Sequence, residues 1–184
     1  PKGVANLVTG DAAEIGHVLL SDPRVRKISF TGSTEVGKHI MQSASNQLKR
    51  LSLELGGIAP VLVFPDADLD LAADCIVSNK FENCGQVCNG INLIYAHEDI
   101  RTALSEKIVL KVRQLRVGIG IEPGMDIGPL IDQAALERVE RLVGDAAAKG
   151  AKIVTGGHRL EEGDYANGYF YAPTVIEDVH DDMT

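Results

Sequence analysis

The sequence has no tryptophan, and aromatic residues make up only 4% of its 184 residues. Its core must therefore be built from aliphatic side chains, which dominate the 45% hydrophobic content. Runs of lysine and arginine are also missing, and the formal net charge is −8. A negative charge without a basic patch disfavours a nucleic-acid-binding surface. These features predict an acidic, soluble globular protein that does not bind nucleic acid.

Long apolar runs are equally absent, so no segment reaches the roughly 18 residues of a membrane-spanning helix, and no membrane association is expected. The opening PKGVANLVTG lacks Met and the apolar stretch of a secretory signal, and the closing DDMT resembles no finished terminus, so we expect a fragment of a longer polypeptide.

There are three cysteines: Cys75, Cys84 and Cys88. An odd count without secretory features predicts reduced thiols in a cytoplasmic protein. Their spacing does not predict a metal site.

Strand and helix signals alternate along the chain. Apolar runs predict strands at 6–8, 25–30, 49–55, 59–64, 91–96, 151–157 and 169–179, and helical periodicity predicts helices at 12–21, 34–44, 65–81, 100–115 and 132–149. This order predicts an α/β fold with largely parallel sheets. The Gly56-Gly57 pair breaks the pattern and predicts a boundary between residues 1–57 and 58–184.

The stretch KISFTGSTEVGKHI (27–40) places Gly32, Gly37 and Lys38 in the order G-x-x-x-x-G-K of a phosphate-binding P-loop. His39 then stands where a P-loop needs the hydroxyl of Ser or Thr for Mg²⁺. A strand followed by a helix N-terminus can also hold an anion without being a P-loop, through free N–H groups and the helix dipole. A plain turn, with Ser33 capping the helix, is a third interpretation.

Two further stretches carry reactive side chains. FENCGQVCNG (81–90) puts Cys84 and Cys88 among small and amide residues, whereas Cys75 lies among aliphatic residues and is expected to be buried. We expect Cys88 to be accessible. Glu54, in LSLELGG, is flanked by leucines on a strand, where desolvation would raise its pKa toward the range of a general base. Structural roles remain open for an isolated loop cysteine and for an edge-strand glutamate.

Taken together, FTGSTEVG, LELGG and NCGQVCNG resemble, in order and spacing, the signature motifs of the NAD(P)-dependent aldehyde dehydrogenases. The resemblance extends over all 184 residues, since DIGPLID and GYFYAPTV also fit the family. It implies the end of a Rossmann-like cofactor domain, residues 1–57, followed by the first part of an α/β catalytic domain, residues 58–184.

The resemblance also implies roles for individual residues. Cys88 matches the nucleophile and Glu54 the general base. The implied cofactor contacts are Gly32 and Ser33 at the pyrophosphate, Phe30, Thr31, Val36 and Gly37 in the same groove, Leu55 and Gly56 beside the nicotinamide, and Gly10 and Gly16 toward the adenine. Leu93 stands where the family usually has Arg.

The implied reaction is the oxidation of an aldehyde to a carboxylic acid with NAD or NADP, through a cysteine thiohemiacetal and a thioester. The resemblance further implies a homo-oligomeric parent enzyme, a small-molecule aldehyde substrate and an inactive isolated fragment. GQVCN and ALERVE loosely resemble the short hydroxyaldehyde and semialdehyde members. The alternatives are a P-loop phosphohydrolase and a non-catalytic dinucleotide-binding domain.

Overall fold

The computed structural model describes all 184 residues, and the chain divides into two compact units, Pro1–Gly56 and Gly57–Thr184. Helices and strands alternate in both units, so the predicted α/β fold class is confirmed. That the units are parts of a cofactor-binding and a catalytic domain stays a prediction. None of the helices combines the length and apolarity needed to cross a membrane.

The first unit contains two helices and one pair of strands. In chain order they are α1 (Ala12–Ser21), β1 (Lys27–Gly32), α2 (Thr34–Ala44) and β2 (Arg50–Leu55). The two strands pair in parallel, in a register that runs from Lys27 opposite Arg50 to Gly32 opposite Leu55. Both helices begin at a side-chain cap, Asp11 for α1 and Ser33 for α2, and both bounds agree with the periodicity of the sequence.

The second unit contains three helices and three pairs of strands. The elements are β3 (Val61–Val63), α3 (Leu69–Phe81), β4 (Ile94–Ala96), α4 (Glu98–Val112), α5 (Gln133–Ala148), β5 (Lys152–Thr155), β6 (Arg159–Leu160), β7 (Phe170–Tyr171) and β8 (Val175–Glu177). The β3–β4 pair is parallel, because α3 carries the chain back across it.

The expectation of largely parallel sheets is wrong for the last two pairs. Strand β6 pairs with β7, and β5 pairs with β8, both in antiparallel orientation. In the sequence, β6 and β7 lie between β5 and β8. No α-helix separates these four strands, so the chain doubles back on itself.

The predicted strand at 6–8 is also wrong: these residues pair with no strand, and Leu7 is 90% exposed. The short strand β6 was not predicted.

The core of the second unit lies between α3, α4 and the inner face of β3 and β4. Leu104 of α4 is 1% exposed and Ala73 of α3 is fully buried. The buried residues around them are Val63, Ile76, Val77, Ile100, Ile108 and Val112. Apart from Val63 of β3, they recur at helical spacing on α3 and α4, so each helix presents one apolar stripe to the other.

The prediction that Cys75 is buried is wrong, because the thiol is exposed. The buried positions of α3 are Ala73, Ile76 and Val77. Cys75 is two residues from Ala73, or about 200° around the helix, and so points away from the core. Aliphatic neighbours in the sequence do not decide burial on a helix, since only one face is covered.

We predict that Leu104→Ala lowers the free energy of unfolding by about 2–5 kcal/mol, because it removes a fully buried side chain and leaves a cavity. Leu110→Ala, on the same helix, is the matched control, because Leu110 is 62% exposed. The free energy of unfolding of this control should change by less than about 0.5 kcal/mol. Urea unfolding of both variants measures the difference, and equal losses would contradict the assigned core.

Candidate active site

The corner between β1 and α2 presents the capped N-terminus of a helix. Helix α2 begins at Thr34, and the Ser33 hydroxyl oxygen accepts a hydrogen bond from the Val36 N–H at 3.2 Å. The hydroxyl proton remains available to a ligand. The remaining N–H groups of the first turn and the positive end of the helix dipole favour a negative group at the same place.

The P-loop interpretation of this corner is wrong. Since α2 starts at Thr34, both Gly37 and Lys38 lie inside the helix, and no loop remains between the two glycines to surround a phosphate. Gly37 is buried, and a Cβ there would lie 2.7 Å from Cδ2 of Leu55. The absence of a side chain at Gly37 therefore lets α2 approach β2 closely.

The glycine at the end of β1 has a different neighbour. A Cβ on Gly32 would lie 2.5 Å from Cζ of Phe30, so the aromatic ring covers the backbone at this position. Thr31 and Ser33, on either side of Gly32, are exposed. At the end of β2, Leu55 is half-buried and Gly56 is exposed.

A cavity of about 1140 Å³ lies in the first unit, between α1, β1 and α2. Four of the ten predicted cofactor contacts line it: Gly10, Gly16, Phe30 and Val36. No atom lies within 4 Å of the position that a Cβ on Gly16 would occupy, so this glycine leaves the α1 side of the cavity open. The structure thus brings the adenine-side candidates together with two of the groove candidates.

Most of the cavity wall was not predicted. Ile15 and Leu19 of α1 line it, as do Ile28 of β1 and His39 of α2. The four-residue spacing of Ile15 and Leu19 marks one face of α1, and this spacing was the available signal. A largely apolar wall beside a helix N-terminus fits a ligand that combines a planar base with a phosphate.

Glu54 lies in β2, opposite Thr31 of β1. Its side chain is exposed, so the desolvation expected from its leucine neighbours is wrong. Successive side chains of a strand point to opposite faces, and Glu54 therefore points away from the side occupied by Leu53 and Leu55. The carboxylate is free to meet water.

The thiol loop, residues 82–93, leaves the end of α3 through a left-handed turn. Asn83, Cys84 and Gly85 have φ values of 47°, 60° and 75°. Asn83 tolerates this conformation better than most residues, whereas Cys84 adopts it at a cost. Hydrogen bonds close the turn: the Gln86 N–H donates to the Asn83 carbonyl at 3.1 Å, and the Asn83 carboxamide donates to the Gln86 carbonyl at 3.2 Å.

Two side chains of this loop hold the segment from Gly128 to Ile131. The Cys84 thiol donates to the Gly128 carbonyl at 3.2 Å, and the Gln86 side-chain oxygen accepts from the Ile131 N–H at 3.0 Å. Burial raises the pKa of the Cys84 thiol. The sequence left Cys84 as a candidate for chemistry, but its geometry is that of an anchor.

Cys88 differs from Cys84 in its exposure and in its contacts. Its side chain is exposed, as expected. The Gly90 N–H donates to the Val87 carbonyl at 3.3 Å, which turns the chain around Cys88. The N–H of Cys88 donates to no group of the protein. An accessible thiol and a free backbone donor are thus present on the same residue.

Comparison with known proteins places these features in one family. The model of the aldehyde dehydrogenase family matches residues 1–184. The chain is 45% identical, over 97% of its length, to the NADP(+) succinate-semialdehyde dehydrogenase of Escherichia coli, and 48% identical, over its full length, to the mitochondrial succinate-semialdehyde dehydrogenase of Arabidopsis thaliana.

Solved structures agree with these relatives. The crystal structure of the succinate-semialdehyde dehydrogenase from Burkholderia pseudomallei superposes on the whole chain with a TM-score of 0.94, at 45% identity. The chain spans only about a third of the length of these proteins: 36% of the E. coli enzyme, 34% of the Arabidopsis enzyme and 37% of the Burkholderia chain.

We predict that alkylating reagents distinguish the two loop thiols. In a Cys75→Ser protein, iodoacetamide at pH 8 should label Cys88 first, because Cys84 is half-buried, bonded to Gly128 and shifted to a higher pKa. Peptide mass spectrometry over time gives both rates. Labelling of Cys84 at the rate of Cys88 would contradict the anchoring role.

Proposed function

Because the chain belongs to the aldehyde dehydrogenase family, we propose that the protein oxidises an aldehyde to a carboxylic acid with NAD or NADP. The observation that carries the proposal is the exposed Cys88 thiol with its free N–H, on a loop whose neighbouring side chains are anchored. The three relatives named above are succinate-semialdehyde dehydrogenases, so we propose a short semialdehyde as the first substrate to test. A cytoplasmic homo-oligomer is proposed on the family relationship alone.

The cofactor would lie along the first unit. The cavity lined by Gly10, Gly16 and Val36 suits the adenine half, and Gly32 with Ser33 suits the pyrophosphate, because a helix N-terminus favours an anion. The other proposed contacts are Phe30, Thr31 and Gly37 near the pyrophosphate, and Leu55 and Gly56 near the nicotinamide. Gly37 would act indirectly, because its missing side chain lets α2 pack closely against β2.

Cys88 is proposed as the nucleophile. Its thiolate attacks the carbonyl carbon, a C–S bond forms, and the carbonyl oxygen becomes an oxyanion. The free Cys88 N–H can donate to that oxyanion. When bound, the nicotinamide supplies the acceptor for the hydride, whose loss from the thiohemiacetal leaves a thioester on Cys88.

Glu54 is proposed as the general base of the second half-reaction. Its exposed carboxylate takes a proton from water as the oxygen attacks the thioester carbon. The C–S bond then breaks, the acid leaves and the Cys88 thiolate is restored. Water activation is needed only after the thioester has formed, so the two residues act at different stages.

We predict that Glu54→Gln in the full-length protein slows thioester hydrolysis by about 10²–10⁴-fold, the usual contribution of a general base. Acylation of Cys88 should slow less. Stopped-flow absorbance should therefore show a burst of about one equivalent of reduced cofactor per site, followed by slow turnover.

Two variants control this experiment. Glu106→Gln changes an exposed carboxylate on α4 that pairs with no cation, and should leave both phases intact. Cys88→Ser should abolish burst and turnover while cofactor binding, measured by calorimetry, persists. Equal loss of burst and turnover in Glu54→Gln would show that Glu54 does not act chiefly at hydrolysis. Turnover by Cys88→Ser would show that Cys88 is not the nucleophile and that another group of the protein takes this role.

A further inference from the structure

Lys80, in the last turn of α3, has an unusual environment for a lysine. Its ammonium donates a hydrogen bond to the side-chain oxygen of Asn92, and no carboxylate lies within ion-pair distance. By contrast, Lys107 and Lys111 of α4 both pair with aspartates. Partial burial lowers the pKa of Lys80, since no opposite charge offsets the desolvation. The amino group also lies beneath the left-handed turn, 3.4 Å from the position of a Cβ on Gly85.

The ammonium determines which way the Asn92 carboxamide points. A lysine ammonium has three donors and no acceptor, so it can bind only the oxygen of the amide. The amide nitrogen must then point the other way, where it donates to the Gly57 carbonyl at 3.4 Å. The backbone N–H of Asn92 donates to the Ile58 carbonyl at 3.0 Å, so two bonds from one residue hold residues 57 and 58.

The segment held by Asn92 lies against the nucleophile. A Cβ on Gly57 would lie 3.7 Å from the backbone oxygen of Cys88, which is van der Waals contact. The Gly57 backbone therefore lies beside the peptide of the reactive residue, with room between them for about one methyl group. In sequence, Gly57 follows Glu54 by three positions, so the same short segment leads from the proposed base to the contact with the proposed nucleophile.

We propose that Lys80 and Asn92 are positioning residues for Cys88: the ammonium orients the carboxamide, and the carboxamide fixes Gly57 against the Cys88 peptide. The inference rests on the proposed function of Cys88. Neither residue touches substrate in this account. The two residues increase the fraction of molecules in which the Cys88 thiol and N–H face the carbonyl of the aldehyde. Their loss should therefore lower the rate of acylation.

Three variants of the full-length protein separate orientation from charge. Asn92→Asp keeps an acceptor for Lys80, and gives the half-buried ammonium a carboxylate, but removes the donor to Gly57. Lys80→Met removes the group that orients the amide. Lys80→Arg keeps a cation whose N–H groups can bind the amide oxygen. Lys107→Met, which loses only an exposed ion pair with Asp70, is the control for loss of a lysine.

The primary readout is the rate of cofactor reduction in the first turnover, measured by stopped flow at saturating aldehyde and cofactor. We expect Asn92→Asp and Lys80→Met each to lower it by about tenfold, the rate equivalent of one lost hydrogen bond. Lys80→Arg should restore it to within about twofold of the original, and Lys107→Met should leave it unchanged. The KM for aldehyde should not move, because no binding contact is altered.

A second readout does not depend on catalysis. Amide hydrogen exchange of the peptide spanning residues 86–92 should be faster in Asn92→Asp, whereas the midpoint of thermal unfolding should be equal or higher, because the ammonium gains a carboxylate. A purely structural role for Lys80 predicts instead that Asn92→Asp is stable and acylates normally. That result would overturn the proposal.

The proposed function and the positioning role fail on different results. If the unaltered protein reduces no cofactor with any aldehyde, the proposed function is wrong, and the exchange data alone then decide whether Asn92 holds the loop. If the unaltered protein reduces the cofactor and Asn92→Asp shows the same first-turnover rate and the same exchange, only the positioning role is wrong.

Discussion

The packing of α3 against α4 is the constraint on which the candidate catalytic unit depends. It buries Leu104, Ile76 and Ile108 in one apolar seam and fixes the end of α3 at Phe81, which packs on the same core. Beyond that point the chain must reverse, and it does so through the left-handed residues Asn83–Gly85. A rigid helix end followed by a tight turn leaves the thiol loop few conformations, and hydrogen bonds to Gly128 and Ile131 restrict it further.

Two thiols four residues apart thereby acquire different properties. Cys84 lies in the strained turn, where its thiol is half-buried and donates to a carbonyl, and burial raises its pKa. Cys88 lies beyond the turn, exposed and with an unused N–H. The difference in exposure and contacts follows from the backbone geometry of the loop. The same loop can therefore hold one cysteine with a structural role, Cys84, and one that is a candidate nucleophile, Cys88.

The sequence predicted the elements with strong periodicity best. Helices α1 and α2 begin and end where the pattern placed them, because capping residues and apolar spacing agree there, and the family recognised from three ordered motifs is confirmed. The local sequence led to wrong predictions of burial at two positions, because tertiary packing decides which side chains are covered. Cys75 is exposed because only one face of α3 is covered. Glu54 is exposed because its neighbours in the strand point to the opposite face. The runs at 151–157 and 169–179 predicted strands after α5 but not their antiparallel pairing, and the two-residue strand β6 is too short to carry a pattern. The roles of the ten cofactor candidates remain predictions, although four of them meet at one cavity.

The central claim is that Cys88 carries the acyl group. Its most direct test is mass mapping of the full-length Glu54→Gln protein, quenched in acid within the burst after mixing with a semialdehyde and NAD or NADP. The account predicts that the peptide containing Cys88 gains the mass of the acyl group, and that the gain is removed by hydroxylamine, which cleaves thioesters. The peptide of Cys75 should be unchanged, and fragmentation should place nothing on Cys84. An acyl group on Cys84 or Cys75, or reduced cofactor formed with no acyl adduct on any thiol, would contradict the account.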